Sequence, residues 1–354
     1  MTHDSCVYTL IGDNMANIDT FLNRYVSIEK ESDYGQEPSG TPTYGEVDEE
    51  SIGHKFDLMV REDMSRPISS KAVTGKEYSE GDLSLAIQVD DFVGKILNGF
   101  FPQDVVTSGS GTKIHTMQEP NATSDEYPSF TVRVGREQKE HTFTGMCANT
   151  LNIGASVGEY AMMTAGFYGK SESAVGTLAT PSFDGVALDA LYFSNGTVKF
   201  AGGAATATIK SFTFDINLNH DADNAYALGS STLQRMPPKQ RREITGTIEF
   251  NQVLYTADAG SPTYSSLIAA DGDEDNPSAS TSAIELHLVD EAGQDSIKFE
   301  FFHVFFEAPE ASVSGRDTNT MTVNFTALYD DVSGGAAKAM TCTMEGANLA
   351  SSAY

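Results

Sequence analysis

The sequence predicts a mainly β protein made of two similar domains, each with one short flanking helix. Short runs of β-branched and aromatic residues, separated by Gly, Asn, Asp and Ser clusters, dominate the chain. Convincing helical patterns are few. One order of signals also occurs twice: a glycine leading into a strand, a short helix, a loop and a long hairpin. A chain of 354 residues is long for one domain and sufficient for two cores without cross-links.

In the first copy, "YSEGDLSLAIQ" supplies the glycine, Gly81, and its strand. A helix over 91–98 follows, where Asp90 is placed to cap, Phe92, Val93, Ile96 and Leu97 share a face, and Gly99 suits a left-handed stop. "FTGMCANTLNIGASVGEYAMMTAGFYG", residues 143–169, is the hairpin. In the second copy Gly246 heads "TGTIEF", residues 264–269 give a helix carrying Leu267 and Ile268, and residues 299–330 repeat the hairpin. Phe143 aligns with Phe299, and Ala155, Ser156 and Val157 align with Ala311, Ser312 and Val313. The implied division is an N-terminal arm 1–19, domains 20–171 and 183–333, a small-residue linker 172–182 and a tail 334–354. The tail's "AMTCTMEG" alternates like a strand, one that adds to a neighbour's sheet or frays. Residues 34–50, rich in Gly, Pro and acids, read as an exposed loop.

Charge narrows the function. The chain has 22 Lys plus Arg against 50 Asp plus Glu, a net charge of −28. Its charged content of 20% is below the usual ~25%, so bases are scarce rather than charges abundant. Such a surface repels nucleic acid and anionic membranes until salt screens it. It suits concentrated salt, or a position beside DNA without gripping it. Cys6, Cys147 and Cys342 have no CxxC spacing, which argues against a disulfide framework or zinc knuckle and for a reducing compartment. The start lacks the basic and apolar regions of a signal peptide. The aromatic run 301–306 falls short of the roughly 20 apolar residues of a membrane span and reads as a buried strand.

Reactive motifs are weak. "GASVG" fits a nucleophile elbow at Ser156, but "VGEYAMMTAGFYG" after Ser156 reads as a returning strand where an elbow needs a helix, and the second copy has Glu310 and Ser314 in place of the glycines. "GFYGKS" has Thr164 where a phosphate loop needs its first glycine. The seven histidines show no zinc-ligand spacing, and no cofactor is indicated. Asp271, Asp273 and Asp275 alternate in "DGDEDN", a low-probability cation loop lacking the glycine and glutamate of an EF-hand. The dense basic cluster, Arg235, Lys239, Arg241 and Arg242, has no interleaved aromatics and reads as a subunit interface on so acidic a chain.

Taken in order, "RYVSIEKESDYGQEP" (24–38), "VTGKEYSEGDLSLAIQVDDFVGKILNGFF" (73–101), the 143–169 hairpin and "PPKQRREITGTIEF" (237–250) resemble the major tail tube proteins of long-tailed viruses. The resemblance implies tail-tube-type β-sandwich or partial-barrel domains, six to a ring, with inner sheets joined around a lumen and no enzymatic activity. With two domains per chain, three copies would complete a pseudo-hexameric ring. The implied partners are the chain itself, in homotrimeric rings stacked into a tube, other tail proteins at the tube ends, and viral DNA passing without specific binding; no membrane is involved. The implied location is the virion tail, after assembly in the host cytoplasm. Interface candidates are Tyr34, Glu37 and Pro38 in the loop, Ser156, Val157, Ser312 and Val313 in the hairpins, and Arg235, Lys239, Arg241 and Arg242. The acidity points to a virus of a halophilic, archaeal host. Competing expectations are a two-domain β-sandwich surface module of a halophile, a tail terminator, and a hydrolase using Ser156.

Overall fold

The computed structural model describes residues 24–62, 64–65, 67–69, 71–109, 111–119, 127–183, 189–200, 203–257, 261–269, 282–312, 319–329 and 338–354. The first half begins with β1 (Tyr25–Lys30), β2 (Thr43–Gly45), β3 (Glu49–Glu50), β4 (Gly53–Arg61) and the long β5 (Lys71–Ala86). Helix α1 (Asp91–Asn98) follows, then β6 (Gln103–Ser108), β7 (Lys113–Gln118), β8 (Phe130–Arg136), β9 (Lys139–Ser156), β10 (Met162–Gly169) and β11 (Ser171–Thr177). The second half holds β12 (Thr197–Phe200), β13 (Ile209–Asn217), β14 (Glu243–Phe250), α2 (Tyr264–Ala269) and β15 (Ser282–Val289). It ends with β16 (Ser296–Phe306), β17 (Glu310–Ser312), β18 (Thr320–Leu328) and β19 (Met340–Gly346).

An open antiparallel main sheet runs through both halves. Its order is β3 and β4, then β5, β10, β9, β13, β14, β18, and finally the C-terminal end of β16 with β17. Strand alternation explains it: Leu83 and Leu85 of β5, Leu151 and Ile153 of β9, and Phe212, Phe214 and Ile216 of β13 are buried, and the residues between them face the other side. The register contains a repeated element. Gly81 stands opposite Phe167, and Gly246 stands opposite Phe325. Both glycines make room: a Cβ on Gly246 would meet the Phe325 ring at 2.3 Å, and one on Gly81, whose φ is +158°, would meet the Ile52 backbone at 2.5 Å.

Each half adds a second layer. In the first, β2, β1, β8, the start of β9 and β11 pair in that order. In the second, the order is β12, β15, the start of β16, β19, β7 and β6. Thus β9 and β16 each serve both layers, in a β-sandwich-like arrangement around one continuous core.

Several details differ from the sequence reading. Asp90 caps α1, its carboxylate accepting from the Val93 amide at 2.7 Å, but Gly99 has φ −61° rather than a left-handed turn. The glycine is needed for space, since a Cβ there would lie 2.8 Å from that of Ala148. The tail strand β19 neither frays nor waits for a neighbour: it fills the gap between β16 and β7 of the same chain. Residues 171–177, within the stretch expected as a linker, form β11 against β9. In the aromatic run, Phe301, Val304 and Phe306 are buried while Phe305 is 45% exposed.

Candidate assembly surfaces

Along most of its strands the main sheet presents a polar face, which ends at the exposed Phe305 and Leu328 on β16 and β18. Opposite the buried side chains stand Asp82 and Ser84 on β5, Thr164 on β10, Thr150 and Asn152 on β9, Thr213 and Asp215 on β13, Thr245 and Thr247 on β14, and Thr322 and Asn324 on β18. Cross-strand bonds tie it together: Ser84 to Thr164 at 3.1 Å, Asn152 to Asp215 at 2.7 Å and Thr247 to Asn324 at 3.0 Å. Bases are few among the described residues on this face: Lys210, beside Ser211 on β13, pairs with Glu249 of β14 at 2.8 Å, and Lys55 of β4 pairs with Glu80 of β5.

The two halves meet edge to edge where β9 pairs with β13, from Thr150 opposite Asn217 to Ser156 opposite Ser211. Residues 218–242, the connection from β13 to β14, then fold back over the first half. Leu218 donates its amide to the Asn149 carbonyl, and His220 donates to the Asn149 side chain at 3.2 Å. Farther along, the Glu77 amide donates to Ser231, and Tyr226 meets Tyr168. The basic cluster lies in this connection. Lys239 sits 3.1 Å from the centre of the Tyr127 ring, while Arg242 donates to the Phe100 carbonyl at 3.0 Å and stacks over Phe101. Two of the four bases therefore hold the halves of one chain together, and Arg235 and Arg241 are exposed.

Both ends of the main sheet are open. Among the described residues, β3 and β4 have β5 as their ladder partner, and β17 has β18. Beyond the body, β4 and β5 continue as a two-stranded arm in which Leu58 faces Thr74 and Arg61 faces Lys71. Its apolar side chains are bare: Phe56 is 56% exposed, Leu58 61% and Met59 56%.

The loop over 34–50 is anchored rather than free. The buried Glu31 carboxylate accepts from the amides of Gly35 and Gly145 and from the hydroxyls of Ser129 and Thr131, at 2.6–2.8 Å. Tyr34 is half-buried over Gly145, and burial pushes its hydroxyl pKa up. Glu37 accepts from Arg133 at 3.1 Å, and Pro38 is partly exposed. A second buried cluster holds the chain terminus. His115 bonds Asp104 at 2.8 Å and the Ala350 carbonyl at 2.9 Å, and Tyr354 stacks on its ring. Burial alone would lower the His115 pKa, but these acceptors on both ring nitrogens hold it above its ordinary value.

Ser156 ends β9, and a turn at Val157 and Gly158 returns the chain as β10, so the strand-to-helix elbow of a hydrolase is not formed. Val157 is 60% exposed beside the β9–β13 joint. Ser312 ends the open strand β17, while Val313 and the aspartates Asp271, Asp273 and Asp275 lie outside the described residues. No metal-binding group of His, Cys, Asp or Glu occurs among the described residues.

Open strand edges, an exposed apolar arm and a polar sheet face define a structural protein whose surfaces suit contact with other chains. The sequence matches the phage tail tube protein family over residues 22–327, and the chain belongs to that family. Its role is structural and tube-forming, not enzymatic. No curated protein matches it.

Proposed function

We propose that three copies close a ring of six sandwich units, that rings stack into the viral tail tube, and that the genome passes through the lumen. The observation that carries this reading is the matching strand order of the two halves. β5, β10 and β9 stand in the same order as β14, β18 and β16, with Gly81 facing Phe167 as Gly246 faces Phe325. A chain that supplies two equivalent units has already made one ring joint internally, at β9–β13. The next joint then lies between copies, with β17 of one against β3 and β4 of another. Carrying over the β9–β13 register puts Ala311 opposite Ile52 and Glu310 opposite Gly53. This correspondence moves the pairing of halves by two residues from the alignment of Phe143 with Phe299, placing Phe143 with Phe301; the period of two keeps the same face inward in either case.

Edge closure removes the open strands that would otherwise recruit wrong partners. The sheet face, poor in bases and with Lys210 and Lys55 each paired to a carboxylate, suits the lumen. Duplex DNA carries one negative charge per ~1.7 Å, and Lys or Arg there would hold it at many phosphates; hydroxyl, amide and carboxylate groups let it slide. Ring stacking is a heterologous contact that does not close, so it gives a filament, in the virion tail after assembly in the host cell. The net charge of −28 fits a virus of a high-salt host.

The test is a disulfide. Paired strand positions lie about 4.5–5.5 Å apart at Cα, within disulfide range, and a Cβ on Gly53 would meet nothing closer than 4.0 Å. Oxidation of Gly53→Cys with Glu310→Cys in assembled protein yields a covalent species of three chains. Monomers that never cross-link, at any concentration or salt, favour the surface-module reading and refute the ring.

A further inference from the structure

We propose that the β4–β5 arm of one copy lies sideways over the β16–β18 face of the next copy in the same ring; this rests on the ring reading above. The chain contains its own precedent. Residues 218–242 join β13 to β14 and roof the first half, and the arm formed by the outer ends of β4 and β5 stands at the corresponding place in the strand order. The shared register puts Phe56 where Leu218 stands, Phe305 where Cys147 stands, and Glu307 where Asn149 stands. Leu218, at the start of the 218–242 connection, is 1% exposed, and Cys147 is 0% exposed, with Lys239 of that connection and Glu31 and Tyr34 of the first half near it. Their counterparts Phe56 and Phe305 are 56% and 45% exposed.

The same positions are therefore covered where the cover belongs to the chain and bare where it does not. The bare surfaces match in chemistry. Phe305 and Leu328 share one face of the β16–β18 pair, since Phe305 stands opposite Thr326 and His303 opposite Leu328. The arm brings Phe56, Leu58 and Met59, all more than half exposed. A two-stranded ribbon with such side chains in water is marginal alone and gains from a surface to lie on. The occupant is a second copy of this chain because the arm leaves the body beside β4, the edge that joins the neighbour's β17.

Cross-linking tests the docking. His220 bonds Asn149 within the chain, and the corresponding pair between copies is Leu58 with Glu307. A chain carrying Cys6→Ser, Leu58→Cys and Glu307→Cys is assembled, treated with a short bis-maleimide and run on a denaturing gel. Cys147 and Cys342 stay silent, because both are buried and burial raises their thiol pKa. The expected product is a ladder that stops at the number of chains in a ring. A ladder running past that number assigns the arm to an adjacent ring and overturns sideways docking. No cross-link in assemblies whose Gly53→Cys, Glu310→Cys control does cross-link overturns the arm contact and leaves the ring standing. Failure of both pairs removes the ring and the docking with it.

Discussion

Under the proposed pairing of the halves Cys147 on β9 corresponds to Phe305 on β16, yet one is 0% exposed and the other 45%. The difference lies above the strands. Near Cys147 the chain brings Lys239 of the 218–242 connection together with Glu31 and Tyr34, and Leu218 and His220 bond Asn149 beside it. Over Phe305 no such connection lies among the described residues. In the proposed ring, the β9–β13 joint is completed inside the chain, while the side left for a second copy carries the open strand, the bare aromatic and, at the opposite edge, the apolar arm.

The largest effects should separate these two places. Cys147→Asp buries a carboxylate without a partner and should cost about 4 kcal/mol or more, enough to prevent folding at ordinary temperature. Phe305→Asp should change the stability of the isolated chain by no more than about 0.5 kcal/mol while weakening assembly. Equal losses of stability on chemical denaturation would break the comparison. Next comes Phe214→Ala, which removes a ring 5.0 Å from Phe299 and 5.2 Å from Phe301. It should cost roughly 3–5 kcal/mol, read as a lower denaturant midpoint, because the second half is filled by interlocked aromatic rings.

Glu31→Gln keeps the shape of its side chain but loses charge and sets an NH2 among four donors, two amides and two hydroxyls. A loss of about 2 kcal/mol is expected, with faster amide exchange at Gly35 and Gly145. The smallest effect is pH-dependent. His115 has its pKa raised in the fold, so its contribution is full below the unfolded value of about 6.5 and is lost as pH rises through the folded one. Melting temperature should therefore fall as pH is raised above about 6.5. His115→Gln should flatten that slope; an unchanged slope would show that other groups carry it.

Much of this fold is legible in the sequence because alternation reports burial directly. The hairpin 143–169, the strand after Gly246 and both helices stand where their patterns put them. The role of the glycines was legible only in part. Gly99 reads as a stop but serves as a spacer against Ala148, a contact between elements far apart in sequence. The contacts of the basic cluster were illegible for the same reason: Lys239 and Arg242 find Tyr127, Phe100 and Phe101 within the chain. The arm left a visible signal, "FDLMV" at 56–60, whose run of apolar residues resembles a buried strand. Only the pairing reveals that it lies beyond the body. The pairing of the halves proposed above lies two residues from the one read in the sequence, a shift that alternation cannot detect.

The most direct test of the central claim is electron microscopy of the purified, assembled protein with the symmetry of its rings determined. Stacked hollow rings with threefold symmetry and six similar lobes are the predicted result. Rings of six chains, or particles that remain single chains at every concentration and salt, would contradict it.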